Sequence, residues 1–246
     1  MKTLYKTVLS ALLLAVPVAS AAAHGTPVAW YGGQITEAPD SSLVEFAVRD
    51  GGIRVWVRTH DGQPVSATGK ATLLTGGQKT DLMLSPRADG LAADMSVMAA
   101  AKVSAILSLT VNGGSVSVRF AQEAVVTPAL SGAAAAGQQA FAKVCAVCHG
   151  VALRGSDRAP SLLHPFYLPG GMHGDDAILA AVNNGAKSHM WKLGDMPKPE
   201  GLQPGQDKEI LAYIRAMQTS NSAGQAPSAM PPGMDHSHMG HDHMGH

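Results

Sequence analysis

The hydrophobic pattern of the chain changes its period once, and this change limits the possible folds more than any other feature. Residues 24–125 alternate apolar and polar side chains between glycine turns, which is typical of short, half-buried strands. From Gly137 onward, apolar residues recur at helical spacing. The sequence therefore predicts a multidomain protein with an N-terminal β domain, a linker at residues 126–136 and a C-terminal helical domain.

The alternating region divides into pairs of strands that are joined by glycine-rich turns. Three hairpins are predicted, at residues 44–57, 71–84 and 103–120. The region as a whole offers six or seven short strands and no convincing helix. This pattern predicts an all-β, immunoglobulin-like sandwich over residues 24–125.

The N-terminal 23 residues have the layout of a secretory signal peptide. Lys2 and Lys6 precede a short apolar run, and small residues follow, with cleavage expected after Ala21 or Ala23. The run is about half of the ~20 residues that a membrane span needs, and no later stretch is apolar enough to span. We therefore expect export, most simply to a bacterial periplasm, and no membrane span after cleavage.

Both cysteines of the 246-residue chain lie in one pentapeptide, Cys145-Ala-Val-Cys148-His149. Two cysteines exclude a scaffold built on several disulfides, and C-x-x-C-H is the sequence pattern of covalent haem attachment. The two thiols are spaced to join the haem vinyl groups, and the adjacent imidazole can reach the iron. A thiol oxidoreductase site or a disulfide are the alternatives, whereas zinc would need two further ligands at motif spacing.

Residues 137–218 resemble class I cytochromes c. The resemblance rests on Gly137-x-x-x-Phe141-x-x-x-Cys145, which continues into the pentapeptide. It implies an all-α cytochrome c domain over residues 137–219 with one haem c, and packing of Phe141 against Tyr213 on the last helix. It also implies that His149 is the proximal iron ligand and that the carbonyl of Pro160, in Ala-Pro-Ser-Leu, orients it.

In the same family the distal iron ligand is a methionine followed by proline, shortly before the last helix. Met196, in Gly-Asp-Met-Pro, occupies this place. His/Met ligation raises the haem reduction potential. Met190 and His189 lie six and seven residues upstream and stay as alternative ligands.

Histidine and methionine are concentrated in the C-terminal residues 220–246, which lack apolar periodicity and are predicted to be a disordered tail. Imidazole and thioether together favour copper, and the pattern resembles the tails of periplasmic copper-resistance proteins. The predicted copper ligands of the tail are Met234, His236, His238, Met239, His241, His243, Met244 and His246. A further hypothesis is that His24, as the new N-terminus, chelates copper together with His60.

The equal numbers of basic and acidic residues, 18 of each, argue against a nucleic-acid binder, because such binding depends on an excess of positive charge. No nucleophile and base stand at recognisable spacing. The favoured function is one-electron transfer between redox protein partners, with no catalysis by the chain alone; a role as the haem subunit of an oxidoreductase complex is an alternative. The other alternative is a copper-homeostasis protein that couples haem redox to copper on the tail or the N-terminal domain.

Overall fold

A computed structural model of the protein describes residues 27–222. The predicted signal peptide, His24 and the copper ligands predicted at Met234 and beyond lie outside these residues. Within the described part of the chain, no helix is both long and apolar enough to cross a membrane.

The N-terminal part is one continuous antiparallel sheet of eight strands in the order β1-β2-β3-β6-β5-β4-β7-β8. The strands are β1 Gln34–Glu37, β2 Leu43–Arg49, β3 Gly52–Arg58, β4 Ala67–Thr75, β5 Gln78–Arg87, β6 Gly90–Asp94, β7 Val103–Val111 and β8 Gly114–Gln122. One hydrophobic core collects side chains from β2, next to one end of this order, and from β8 at the other end. The sheet therefore curls around its own core like a barrel.

The predicted immunoglobulin-like sandwich is wrong. A sandwich has two separate sheets, but β5 here belongs to both halves of a single sheet. Residues 78–84 of β5 pair with β4, and residues 85–87 pair with β6. Hydrophobic alternation reports which face of a strand is buried but not which strand is its neighbour, so the sequence pattern is compatible with either arrangement.

Strand β2 is buried on both faces, which is unusual for a sheet at the surface of a domain. Its core face carries Phe46, whereas Glu45 points the other way and is also buried. The Glu45 carboxylate accepts hydrogen bonds from the backbone N–H groups of Trp30, Tyr31 and Gly33, at 2.7–2.8 Å. These bonds hold the chain before β1 across the outer face of the sheet.

The C-terminal part contains four helices and a 3₁₀ turn at Pro165–Tyr167. The helices are α1 Gly132–Val144, α2 Ala146–His149, α3 Asp175–Asn184 and α4 Gln206–Asn221. Helix α1 begins inside the segment that the sequence pattern assigns to a linker, because the four alanines at residues 133–136 continue the helix toward its N-terminus.

Helices α1 and α4 cross at Gly137. A Cβ atom at this position would lie 1.9 Å from the carbonyl oxygen of Glu209, so a side chain is sterically excluded there. One turn further along α1, the ring of Phe141 packs on that of Tyr213, with centroids 5.4 Å apart. This crossing brings α4 against the helix that leads into the cysteine pentapeptide.

The two parts of the molecule contact each other beside that pentapeptide. Asp157, which follows α2, pairs with Arg54 of β3 at 3.1 Å and with Arg49 of β2 at 3.5 Å. The backbone N–H of Lys192 donates to the carbonyl of Trp30 at 2.7 Å, and the Lys192 ammonium lies 3.3 Å from the centre of the Trp30 ring. The sheet thus supports two loops of the helical part.

Candidate functional site

The helical part encloses a cavity of about 620 Å³. Its walls are mainly apolar and come from all four helices and from the loops between them. The sequence-predicted site residues on these walls are Cys145, Cys148, His149, Pro160, His189, Met190 and Met196. Residues that are 51 positions apart in the sequence, from Cys145 to Met196, therefore share one cavity.

The two thiols stand one helical turn apart, at the junction of α1 and α2. The Cys145 N–H donates to the carbonyl of Phe141 at 2.8 Å, so helical hydrogen bonding continues into the pentapeptide. Both cysteines are free thiols, and Cys145 is buried. Burial, with a smaller contribution from Cys148, raises the pKa of the Cys145 thiol to about 11. A thiol with this pKa stays protonated at neutral pH, which is the opposite of what an oxidoreductase nucleophile requires.

The imidazole of His149 is buried, and a backbone carbonyl fixes its orientation. Its Nδ1 lies 3.1 Å from the carbonyl oxygen of Pro160. Because a carbonyl can only accept, Nδ1 carries the hydrogen, which leaves the Nε2 lone pair available to a ligand in the cavity. Burial lowers the pKa of His149, although the bond to Pro160 opposes the shift, so the ring is neutral at neutral pH.

A tight loop brings the Pro160 carbonyl to His149. The Gly155 N–H donates to the carbonyl of His149 at 2.9 Å, and Gly155 has a φ of +78°. A Cβ atom there would lie 2.6 Å from the carbonyl oxygen of Ala159, so both the backbone conformation and the space require glycine. The glycine of this loop thus stands five residues before Pro160.

The loop that carries Met196 is closed at its base by paired backbone groups. Met196 and Ala186 exchange two backbone hydrogen bonds of 2.9 Å. Asp195 accepts from the Lys187 ammonium at 2.7 Å and from the Ser188 N–H at 2.9 Å, and these bonds lower the pKa of the Asp195 carboxyl. The residue before the predicted ligand is therefore anchored by two hydrogen bonds.

Three candidate distal ligands, Met196, Met190 and His189, lie on the cavity wall. His189 is exposed, and its Nδ1 lies 3.0 Å from the carbonyl of Lys187, whereas both methionines are partly buried. The loop brings all three to the same cavity, so the choice of Met196 stays a prediction.

The structure adds two groups that the sequence analysis did not find. The Trp191 indole N–H donates to the hydroxyl of Tyr167 at 3.0 Å, and both rings line the cavity. His173, in the loop before α3, has its Nε2 only 3.1 Å from Nε2 of His189. The neighbouring pairs Met172-His173 and His189-Met190 are similar in composition, but nothing in the sequence indicates that the two loops meet.

The predicted copper ligands are not brought together by the described residues. His60 Nε2 lies 3.3 Å from a carboxylate oxygen of Glu37, and His24 and the tail are outside the described range. Among residues 27–222, no group of three or more His, Cys, Asp or Glu side chains is placed to hold a metal ion. Copper binding at these positions stays a prediction.

Comparison with known proteins gives a match to the helical part of the chain. The family model for cytochrome c matches residues 134–218. The match supports a c-type cytochrome domain over these residues, and such a domain implies covalently bound haem c. Searches against curated proteins and against solved structures returned no match for the chain.

The residues of the cavity fit such a group. Its volume lies in the usual range of about 300–1,000 Å³ for cofactor sites. Two free thiols lie on one wall, and the neutral imidazole of His149 has its free nitrogen directed away from its carbonyl partner. Thioether sulfur and a neutral imidazole are both ligands of haem iron.

Proposed function

We propose that the chain is an exported c-type cytochrome that transfers single electrons between redox proteins, with His149 and Met196 as the axial ligands. The observation that carries this proposal is the convergence of both cysteines, a buried neutral imidazole and a methionine loop on one apolar cavity. The match to the cytochrome c family supports the haem-binding electron-carrier role. The signal-like N-terminus supports export.

Covalently bound haem supplies a one-electron iron couple whose potential is set by its axial ligands and by solvent exclusion. Cys145 and Cys148 would form the thioether bonds. Pro160 holds His149 in the tautomer that presents Nε2 to the cavity. The backbone bonds between Met196 and Ala186 close the base of the methionine loop, so hydrogen bonds to the backbone would hold both ligand-bearing segments in place.

An apolar edge beside the thiols provides a contact surface for partners. Val147 lines the cavity and is 70% exposed, and Val151 is 62% exposed. Large exposed apolar side chains are unusual on a surface without a binding role when they are close together. This edge suits a short-lived contact with another redox protein.

The decisive experiment is to express the full chain in an exporting host that attaches haem, then to measure mass and absorption together. We expect the mass of the cleaved chain plus one haem, and a spectrum that changes between oxidised and reduced forms. Cys145→Ala should retain a single thioether at most, whereas Met83→Leu, at an exposed site on β5, should leave both bonds intact. Recovery of two unmodified thiols from the wild-type chain would contradict the proposal.

Copper handling remains a second candidate function, favoured by the composition of the tail. Five histidines and four methionines occur from position 230 onward. Replacing the five histidines by asparagine in the full chain should lower the amount of copper bound and shift the haem midpoint measured with copper present. If copper binding and the midpoint are unchanged, the tail has no part in the function.

A further inference from the structure

The contact between His173 and His189 has the dimensions of a metal site. Imidazole nitrogens bind metal ions at about 2.0–2.1 Å. If both Nε2 atoms bound one ion at this distance, their separation of 3.1 Å would give an N–metal–N angle of about 100°. This value is close to the tetrahedral angle. The two Nε2 atoms are therefore placed to bind one ion without moving apart.

A backbone hydrogen bond keeps the His189 ring in the form that binds metal. The Lys187 carbonyl, 3.0 Å from Nδ1 of His189, accepts the hydrogen of that nitrogen and leaves Nε2 as a lone pair. This arrangement is the usual outer support of a metal-bound histidine. Because Nε2 of His189 can then only accept, Nε2 of His173 carries a hydrogen in the metal-free structure and donates it to His189. A bound ion takes the place of this hydrogen, which moves to Nδ1 of His173. Nδ1 of His173 is buried without a hydrogen-bond partner in the structure.

The donors next to the pair in the chain are soft, and Asp195, a carboxylate that lines the same cavity, is bonded to Lys187 and Ser188. Among the described residues, no third His, Cys, Asp or Glu completes a cluster here. The nearest further ligands along the chain are the thioethers of Met172 and Met190, each adjacent to one of the two histidines, and Met190 shares the cavity wall with both histidines. Imidazole with thioether, in the absence of carboxylate, selects Cu(I) over harder ions.

We propose that His173 and His189, together with the thioethers of Met172 and Met190, form a Cu(I) site at the wall of the haem cavity, separate from the haem iron. The site goes beyond the proposed electron-carrier function, because it adds a bound metal that neither the cytochrome fold nor the tail accounts for. It also assigns His189 to copper rather than to the iron.

The test uses the full haem-loaded chain in a tail-silenced form, in which the five histidines of the tail are replaced by asparagine and its four methionines by leucine. These substitutions remove the copper ligands of the tail. The haem is kept reduced so that Cu(I) is not oxidised, and Cu(I) is titrated against a coloured Cu(I) chelator. We expect one Cu(I) per chain. His173→Asn and His189→Asn should each abolish this Cu(I) binding. The double variant should bind as little Cu(I) as either single variant, because both residues hold the same ion.

The methionine contribution is tested with Met172→Leu combined with Met190→Leu. This variant should weaken Cu(I) binding by roughly tenfold or more while Zn(II) binding is retained. Met83→Leu is the matched control, since Met83 is 74% exposed on the distant β5, and it should bind as the parent does.

Three results would overturn the proposal. The first is a tail-silenced protein that fails to compete with the chelator. The second is unchanged Cu(I) affinity in both histidine variants. The third is a changed haem absorption spectrum in copper-free His189→Asn, which would assign this imidazole to the iron. None of these results would affect haem attachment through Cys145 and Cys148, so this proposal and the proposed function fail separately.

Discussion

At the residue scale, the sharpest prediction concerns the distal ligand. Met196→Ala should remove the weak long-wavelength band of Met-ligated ferric haem and lower the midpoint potential, because a thioether ligand stabilises the reduced iron. Met190→Ala should preserve both properties. Absorption and potentiometry on the two variants decide between them, and the converse pattern would assign the ligand role to Met190.

A second residue-scale prediction follows from His164. Its ring packs edge-on against Trp191, with centroids 5.0 Å apart, and burial lowers the pKa of His164 to about 4. The unfolded chain takes up this proton near pH 6.5, whereas the folded chain does so only near pH 4. Neutral His164 therefore makes its full contribution to the free energy of unfolding above pH 6.5. This contribution, up to about 3 kcal/mol, is lost as the pH falls toward 4.

Chemical denaturation of the haem-loaded protein at several pH values checks this prediction. His164→Gln removes the titrating group but keeps a polar side chain of similar reach, so its free energy of unfolding should fall less between pH 6.5 and 4 than that of the parent. Equal slopes in the two proteins would show that His164 is not the responsible group.

Residue identity predicted which residues share the cavity, because the pentapeptide and the Met-Pro pair are recognisable from local sequence; their roles as ligands stay predictions. The support for Pro160 was harder to predict, since the glycine that shapes its loop stands five residues upstream, at 155. The His173–His189 contact could not be predicted at all. It depends on how two loops that are 16 residues apart approach each other, and no local pattern encodes that distance.

At the scale of elements, the crossing of α1 and α4 yields a stability prediction. Gly137→Ala places a Cβ against the backbone of Glu209 and must push the helices apart, which should cost about 1–3 kcal/mol or more. Gln139→Ala, at an exposed position on the same helix, should change the free energy of unfolding by less than about 0.5 kcal/mol.

Thermal unfolding of the haem-loaded proteins, followed by circular dichroism, measures both changes. Haem attachment in Gly137→Ala should also be less efficient, because α1 leads directly into the cysteines. A Gly137→Ala protein as stable as Gln139→Ala would mean that the helices do not approach as closely as the structure shows.

Strands with clear apolar alternation were predicted from the sequence, whereas strands with weak alternation were missed. Six of the eight strands have clear alternation, but β1 has four residues and β6 is rich in alanine, so neither stands out from a loop. Strand β2 is buried on both faces because the segment before β1 covers its outer side. Such burial depends on a distant segment, which periodicity within β2 does not report.

At the scale of the whole molecule, the sheet contributes to the surroundings of the cavity rather than standing apart from it. A Cβ atom at Gly32 would lie 3.5 Å from Pro160, the residue whose carbonyl orients His149. The carbonyl of Trp30 accepts from Lys192 in the methionine loop. Both loops that carry the predicted axial ligation therefore rest on the segment that Glu45 holds against β2.

Asp157 is the charged link between the two parts, and its removal provides the prediction for the whole molecule. It faces Arg54 and the buried Arg49, whose Nε has no hydrogen-bond partner in the structure. Asp157→Ala removes the nearer carboxylate from both guanidinium groups and should weaken the contact between the parts by about 1–2 kcal/mol, because Arg49 is buried but Asp157 is half-exposed. Asp94→Ala is the matched control, since Asp94 also faces Arg54 but at 4.0 Å and 89% exposed.

Limited proteolysis and calorimetry on the full haem-loaded chain distinguish the two variants. In Asp157→Ala we expect faster cleavage between β8 and α1, and unfolding that separates into two transitions, because each part keeps its own hydrophobic core. Asp94→Ala should behave as the parent does. The haem spectrum should stay the same in both, because neither carboxylate lines the cavity. A single unfolding transition in Asp157→Ala, with unchanged cleavage, would show that the remaining contacts through Trp30 and Lys192 suffice to hold the parts together.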